Sequence, residues 1–417
     1  MSFITSLTRM WLTRTAKPFV FKNEYDRELP YDECENLGLY VHIPFCRSIC
    51  NFCPYCKVRY SDQLCSRYVD SLIREIRLVG GQHPGRKKVT SLYFGGGTPA
   101  LAAGRIKEIV DALGEHFIIT EGIGLELHPD DVHAEVLRVL RDAGVTKISI
   151  GIQSFGEKYQ QILGRKKIDA AAIAAALAEV PFETVSMDFI FALPGQTFDD
   201  LRADIDTAFS LGANHVAIYP FIDFTFTDST VTEMPKKEKR ALLDAITGYC
   251  LDKGRRRSSI WTFSSRPDAE YSSMTRENFL GFGCSATSLF REQFKINTFD
   301  VASYCRRISA GEPATSLTLR FTRRQRMIYW LFWTAYSTKV RAADFERFFG
   351  VPLKRMYGSE LWAAKRLGFL QEHDGVYEMT LKGAFFYHYY ENYYTLAYID
   401  RMWGIMRKEA FPEEIRL

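Results

Sequence analysis

From Gly38 onward, short apolar runs rich in β-branched and aromatic residues alternate with segments whose apolar positions recur at helical spacing. The runs at 39–43, 89–94, 123–127, 146–150, 184–190 and 214–219 read as strands. Between them Ile106, Ile109, Val110 and Leu113 form one helical stripe, and Phe198, Leu201, Ile205 and Phe209 form another. Thr197 precedes the second stripe as an N-cap, with Asp199 and Asp200 in its first turn, and Gly144 closes the helix that carries Val132, Val136 and Leu140. Six such β-then-α units predict an α/β fold whose parallel sheet is either open or curled into a partial (β/α)6 TIM-like barrel. Chemistry on such a sheet belongs at the carboxyl ends of its strands.

Alternation stops near 223–238, where Thr, Pro and Lys accumulate, and a second break falls near 309–313. Beyond it, 323–336, 341–349 and 359–367 carry helical periodicity, and 369–379 reads as a hairpin turning at Asp374-Gly375. Helices followed by a hairpin predict a mainly helical, winged-helix-like module. The expected organisation is an N-terminal arm over 1–37, a barrel core over 38–225, a barrel extension with substrate-side elements over 226–312, and a C-terminal accessory domain over 313–417.

Composition changes this picture little: 417 residues, 47% apolar and 25% charged, exclude a disordered, collagen-like or disulfide-scaffold chain. A net charge of +4 gives no reason to expect nucleic acid as a partner, and Arg255, Arg256 and Arg257 read as a solvated loop. No stretch reaches the ~20 apolar residues needed to span a bilayer. Residues 1–21 hold Arg9, Arg14 and Lys17, no acid, and Phe3, Ile4, Leu7, Trp11 and Leu12 at roughly helical spacing. Such a segment suits an arm packed on its own fold, an anionic membrane surface or a transit peptide, and the packed arm is favoured. A cytoplasmic protein is expected, with peripheral membrane contact as the alternative.

Chemistry enters with the nine cysteines, of which Cys34, Cys65, Cys250, Cys284 and Cys305 are single and four are crowded at Cys46, Cys50, Cys53 and Cys56. An odd count in a long chain without a secretory leader points to a reducing compartment. In GLYVHIPFCRSICNFCPYCK, Cys46, Cys50 and Cys53 form a CxxxCxxC pattern immediately after the first strand. Three thiolates in one loop can hold three irons of a cubane [4Fe–4S] cluster and leave the fourth iron without a protein ligand. A zinc site would want a fourth Cys or His and usually a second pair downstream, which the sequence lacks. Cys56 as a fourth ligand, of a zinc ion or of a closed cluster, is the alternative.

The CxxxCxxC motif after a first strand resembles the signature of the radical SAM superfamily. YVHIPFC is similar, within it, to the subgroup of oxygen-independent coproporphyrinogen III dehydrogenase, its haem-chaperone relatives, the anaerobic haem-degrading methyltransferases and the class C radical SAM methylases. The resemblance runs from about Gly38 to at least Phe290, and more faintly to about Gly383. It implies that the open iron chelates S-adenosylmethionine, whose reductive cleavage yields methionine and a 5′-deoxyadenosyl radical. A reducing donor such as flavodoxin or ferredoxin is implied with it. In the methylases of the subgroup, two S-adenosylmethionine molecules are thought to bind.

Gly95-Gly96-Gly97-Thr98-Pro99, after the second strand, fits a backbone loop that lets a ligand approach closely. The resemblance assigns Gly96, Gly97 and Thr98 to the amino and carboxylate end of S-adenosylmethionine. It assigns Glu126, Gln153, Arg165 and Asp188 to hydrogen bonds with the same molecule, and Tyr40 to its sulfonium region. Read alone, Glu126 and Gln153 are polar residues at strand ends that need partners.

Two departures bear on the reaction. The chain reads Cys53-Pro54-Tyr55-Cys56-Lys57 where coproporphyrinogen dehydrogenase reads CGCNK. Gly281-Phe282-Gly283-Cys284-Ser285 resembles GIGAGAHS, but with Cys284 in place of alanine and Thr287 in place of histidine. A different substrate is expected, with Cys56 as a candidate proton or hydrogen donor and Cys284 as a buried small hydrophobe. The aromatic run from Phe385 to Tyr390, followed by Tyr393, Tyr394 and Tyr398, reads as helix packing or as a stacking wall for a flat apolar substrate. The preferred function is radical C-methylation or methylene transfer onto a small, apolar, conjugated molecule of quinone or polyketide type. Oxidative decarboxylation of a porphyrinogen, other tetrapyrrole chemistry and haem chaperoning are the alternatives.

Overall fold

The computed structural model describes residues 9–15, 17–229, 231–266 and 277–417. Phe3, Ile4 and Leu7 of the amphipathic N-terminal segment lie outside the described residues. The six expected strands form β2 (Leu37–Ile43), β3 (Leu92–Gly96), β4 (Ile123–Leu127), β5 (Lys147–Gln153), β6 (Thr184–Phe191) and β7 (His215–Pro220), parallel and adjacent in chain order. Their Val, Ile, Leu and Phe side chains are buried on both faces, as in Val41, Leu125, Ile150, Phe189 and Ile218. The run at 89–94 is broken, because Thr90 turns and its N–H donates to the carbonyl of Leu37 at 2.8 Å. Residues 87–89 pair instead with 117–119 outside the main sheet.

Helices α1 (Asp62–Gly80), α2 (Ala103–Gly114), α3 (Ala134–Asp142), α4 (Ala170–Glu179) and α5 (Phe198–Ser210) connect these strands. Thr197 caps α5 in a reciprocal capping box with Asp200, and Gly144 follows α3 in the left-handed conformation at φ +95°. Two further strands, β8 (Arg256–Arg257) and β9 (Thr262–Ser264), extend the sheet antiparallel beyond β7.

On the other side β10 (Asn278–Phe282) joins β2 in parallel, a pairing that no local βα unit announces. From β10 the sheet continues antiparallel through β11 (Thr287–Leu289), β12 (Gln293–Asn297) and β13 (Thr315–Arg320) to β1 (Val20–Lys22) and β17 (Glu414–Arg416). The barrel is thus partial, with seven parallel strands flanked by antiparallel extensions.

After β13 come α6 (Arg323–Tyr336), capped by Thr322, β14 (Lys339–Arg341), α7 (Ala342–Phe349) and α8 (Leu353–Arg366). The α8 helix starts six residues before the 359 expected from sequence and is kinked at Tyr357, next to the Gly358 that interrupts its periodicity. The hairpin of β15 (Leu370–His373) and β16 (Val376–Met379) turns through Asp374 and Gly375, both at positive φ, and β14 completes a three-stranded wing. Met327, Trp330, Phe345 and Tyr377 form a separate small core there.

Helix α9 (Leu381–Tyr394) passes through a π-turn at Thr395–Ile399 into α10 (Asp400–Met406). The arm lies on this half of the molecule: Arg324 donates to the carbonyl of Leu12, and Arg14 pairs with Glu360. Among the described residues no helix is long and apolar enough to cross a membrane.

Candidate active site

At the carboxyl ends of β2 to β7 lies a cavity of about 1150 Å³. Cys46, Cys50, Cys53, Gly96, Gly97, Thr98, Glu126, Gln153, Arg165 and Asp188 all line it, so the structure brings the sequence-derived set together apart from Tyr40 and Cys56. Those two line a smaller cavity that adjoins the first, Tyr55, Tyr93, Gly96 and Glu126 lining both.

The cysteine loop is tied at its base. Phe45–Cys46 pair with Val58–Arg59, and the N–H of Tyr60 donates to the carbonyl of Cys46 at 2.9 Å. Cys46, Cys50 and Cys53 are half-buried on the cavity wall. Burial, followed by the nearby thiols of Cys53 and Cys50, raises Cys46 to about 11. Among the described residues no three metal-binding side chains converge on one point, as a single ion would require. A cubane places its thiolates on separate corners, and three thiols on one wall beside a cavity suit that donor set. Cys56 is buried away from them: its thiol donates to the carbonyl of Phe299 at 3.2 Å and lies 3.7 Å from the sulfur of Cys284.

The glycine loop serves first to hold the cysteine loop. The N–H groups of Gly97 and Thr98 donate to the carbonyls of Ile43 and Phe45 at 2.9 and 2.7 Å. A Cβ on Gly97 would sit 2.5 Å from the Phe45 oxygen, and Gly96 adopts φ +127°. These two N–H groups are therefore taken up within the protein. The N–H of Gly96 donates to Glu126 at 3.2 Å.

Glu126 accepts a second bond from the Tyr93 hydroxyl at 3.0 Å. Burial and the nearby Asp188 nonetheless push its carboxyl up to about 7. Asp188 accepts from Ser149 at 2.8 Å and Ser186 at 3.2 Å, and burial raises it to about 6. Ser186 also meets Nδ1 of His215 at 2.9 Å, where burial lowers the imidazole to about 4. Two enclosed carboxyls near neutrality face a shared space, an arrangement suited to a cationic, amine-bearing ligand.

Gln153 ends β5 at φ +70°, opposite a register shift between Met187 and Phe189. Arg165 donates to the carbonyl of Gly151 and lies over the Phe52 ring at 5.5 Å, linking the cysteine loop to β5. On β2, Nε2 of His42 donates to the Cys56 carbonyl at 2.9 Å, which leaves Nδ1 to accept from the Tyr40 hydroxyl at 3.0 Å. Sequence reasoning missed Tyr93, Ser149, Ser186 and His215. The two-residue alternation along β5 and β6 puts Ser149 with Gly151 and Gln153, and Ser186 with Asp188, and would have found the serines.

Residues 40–208 match the family model described as the radical SAM superfamily. Over 281 residues the chain is 28% identical to the heme chaperone HemW of Bacillus subtilis, covering 64% of this chain and 74% of that protein. Over 360 residues it is 27% identical to the oxygen-independent coproporphyrinogen III oxidase of Pseudomonas aeruginosa, covering 78% and 77% respectively. The solved structure of coproporphyrinogen III oxidase (HemN) from Escherichia coli superposes with a TM-score of 0.74 at 21% identity, over 92% of this chain and 98% of that one.

Proposed function

From the premise that this chain carries a radical SAM domain over residues 40–208, we propose that it is an enzyme acting on a carbon of an apolar, conjugated small molecule. The domain works with a [4Fe–4S] cluster and S-adenosylmethionine, which together supply a 5′-deoxyadenosyl radical when bound and reduced. Cys46, Cys50 and Cys53 would hold the cluster. Glu126 and Asp188 would accept from the amino group and ribose of S-adenosylmethionine, with Gln153 and Arg165 shaping the wall at the end of β5. Gly96, Gly97 and Thr98 act by keeping the cysteine loop against β3, and Tyr40 is held by His42 on the wall of the smaller cavity. Fixing these partners in place is the chain's main contribution to rate.

The observation that carries the choice of substrate is the smaller cavity, whose wall is mostly aromatic and aliphatic. A porphyrinogen with several carboxylates would need a cationic pocket there. Within this reading we favour transfer of a methyl or methylene group to an sp² carbon. The buried Cys56 thiol on that cavity's wall, beside Cys284, supports a hydrogen donor to a carbon radical on the substrate. A flavodoxin or ferredoxin would deliver the electron.

The names of the relatives favour a second reading, porphyrinogen oxidation or haem binding, and none of those reported above is named a methyltransferase. One anaerobic reaction decides between them: reconstituted protein with methyl-labelled S-adenosylmethionine and reductant, quantifying 5′-deoxyadenosine and S-adenosylhomocysteine together. Both products are expected. Deoxyadenosine alone would establish the oxidative reading, and neither product, with haem bound on titration, the chaperone. Cys56→Ser is expected to keep the iron content and slow turnover; loss of iron would make Cys56 a ligand.

A further inference from the structure

The smaller cavity measures about 670 Å³ and meets the larger one where Tyr55, Tyr93, Gly96 and Glu126 border both. Its wall is mostly aromatic and aliphatic, so it takes apolar ligands in preference to water. Helices α6 and α9 build its aromatic wall. Phe332 stacks on Tyr387 with ring centroids 5.1 Å apart and lies 5.2 Å from Tyr394, which lies 5.0 Å from Tyr398. Beyond the shared border, the charged side chains among the described lining residues are Arg9 and Glu360. Both are engaged, Arg9 with the carbonyl of Lys17 and Glu360 with Arg14.

Helix α9 presents a different face to the larger cavity. There Nδ1 of His388, one carboxyl oxygen of Glu391 and the amide oxygen of Asn392 are buried without a hydrogen-bond partner. One helix thus divides a polar compartment from an apolar one, and the two meet beside Glu126.

We infer that the substrate is an amphiphile whose long linear hydrocarbon tail lies in the smaller cavity while its polar, conjugated head lies at the shared border. At about 30 Å³ for a group the size of a water molecule, the tail would hold on the order of twenty methylene- or methyl-sized groups. A polyprenyl and an acyl chain both answer this description. The inference rests on the proposed reading only in placing the reacting head at that border.

The test is equilibrium binding of labelled alcohols to the full, cluster-reconstituted chain under anaerobic conditions: prenol, geraniol and farnesol as the isoprenoid series, and hexadecanol as the acyl-type chain. Affinity is expected to tighten roughly tenfold or more with each five-carbon unit. Ala335→Trp, which fills the cavity from α6, is expected to weaken farnesol at least tenfold and leave prenol unchanged. Preference for farnesol over hexadecanol would mark an isoprenoid tail, and equal or better binding of hexadecanol a straight chain. Affinity independent of chain length in the wild-type protein would overturn the inference, whether or not the variant folds. So would an Ala335→Trp protein with wild-type melting temperature and wild-type farnesol binding. Tail-dependent binding without S-adenosylhomocysteine in the labelled reaction would instead overturn the proposed reaction and leave the tail site standing.

Discussion

Glu75 and Glu126 are both enclosed carboxyls, one on α1 against the ends of β10 and β12 and one at the barrel's mouth. Glu75 accepts from the N–H of Gly283 at 2.7 Å, the hydroxyl of Tyr304 at 2.7 Å and the amide of Asn297 at 3.0 Å, and the buried Lys295 acts on it electrostatically. Glu126 has two donors, an acid for a neighbour and one side toward a cavity. Burial raises both, but only the first has its opposing charge inside the protein. The difference separates a carboxylate that completes the fold from one that waits for a ligand's charge.

The largest expected effect falls on the completed carboxylate. Glu75→Ala leaves the Gly283 N–H, the Tyr304 hydroxyl and the Asn297 amide buried without their acceptor, and should cost about 3 kcal/mol or more of stability, read from urea denaturation. Glu126→Gln should do the reverse. Its stability should stay within about 1 kcal/mol of wild type, while S-adenosylmethionine affinity falls about tenfold or more. If instead Glu75→Ala spares stability, or Glu126→Gln spares binding, the comparison fails.

Acidity sharpens it. Because the folded values of Glu126 and Asp188, about 7 and about 6, lie above their ordinary values, the stability these groups contribute is present below pH 4. It is lost as pH rises through 6 and 7. Ligand binding has the opposite slope: affinity for S-adenosylmethionine should rise from pH 5 to 8 and level off, with proton release near pH 6.5 in calorimetry across two buffers. The groups facing Glu126 are Asp188, His42, Tyr40, Tyr55 and Tyr93, and Glu126→Gln should remove the later part of that rise. The smallest effect belongs to Tyr93→Phe. Loss of the hydroxyl that stabilises the ionised carboxyl should move the binding midpoint alkaline by on the order of half a pH unit.

Much of the barrel was legible because its strands and helices are local. Leu125, Ile150 and Phe189 sit in apolar runs, and Thr197 and Gly144 announce helix ends through hydrogen bonds within a few residues. The place of β10 beside β2 depends on contacts across some 240 positions, as in Leu280 opposite Leu39, and no local period encodes it. At the site, the cysteine spacing and Glu126 stood out in the sequence. Ser149 and Ser186 were obscured because a serine within a strand has no distinctive pattern until its partner Asp188 is placed. The apolar cavity was legible only as an aromatic run. What α9 presents to each compartment depends on where α6 lies.

The pairing of β1 with β17 sets an order of manufacture. Val20 lies opposite Arg416, so nearly four hundred residues must be added after the first strand before its partner exists. At about 5–20 residues per second, that is a wait on the order of 20–80 s on the ribosome. Throughout it, β1 can hold β13 at most on one side and presents an open backbone edge on the other. Slower synthesis lengthens that exposure, and the yield of soluble chain should fall with it.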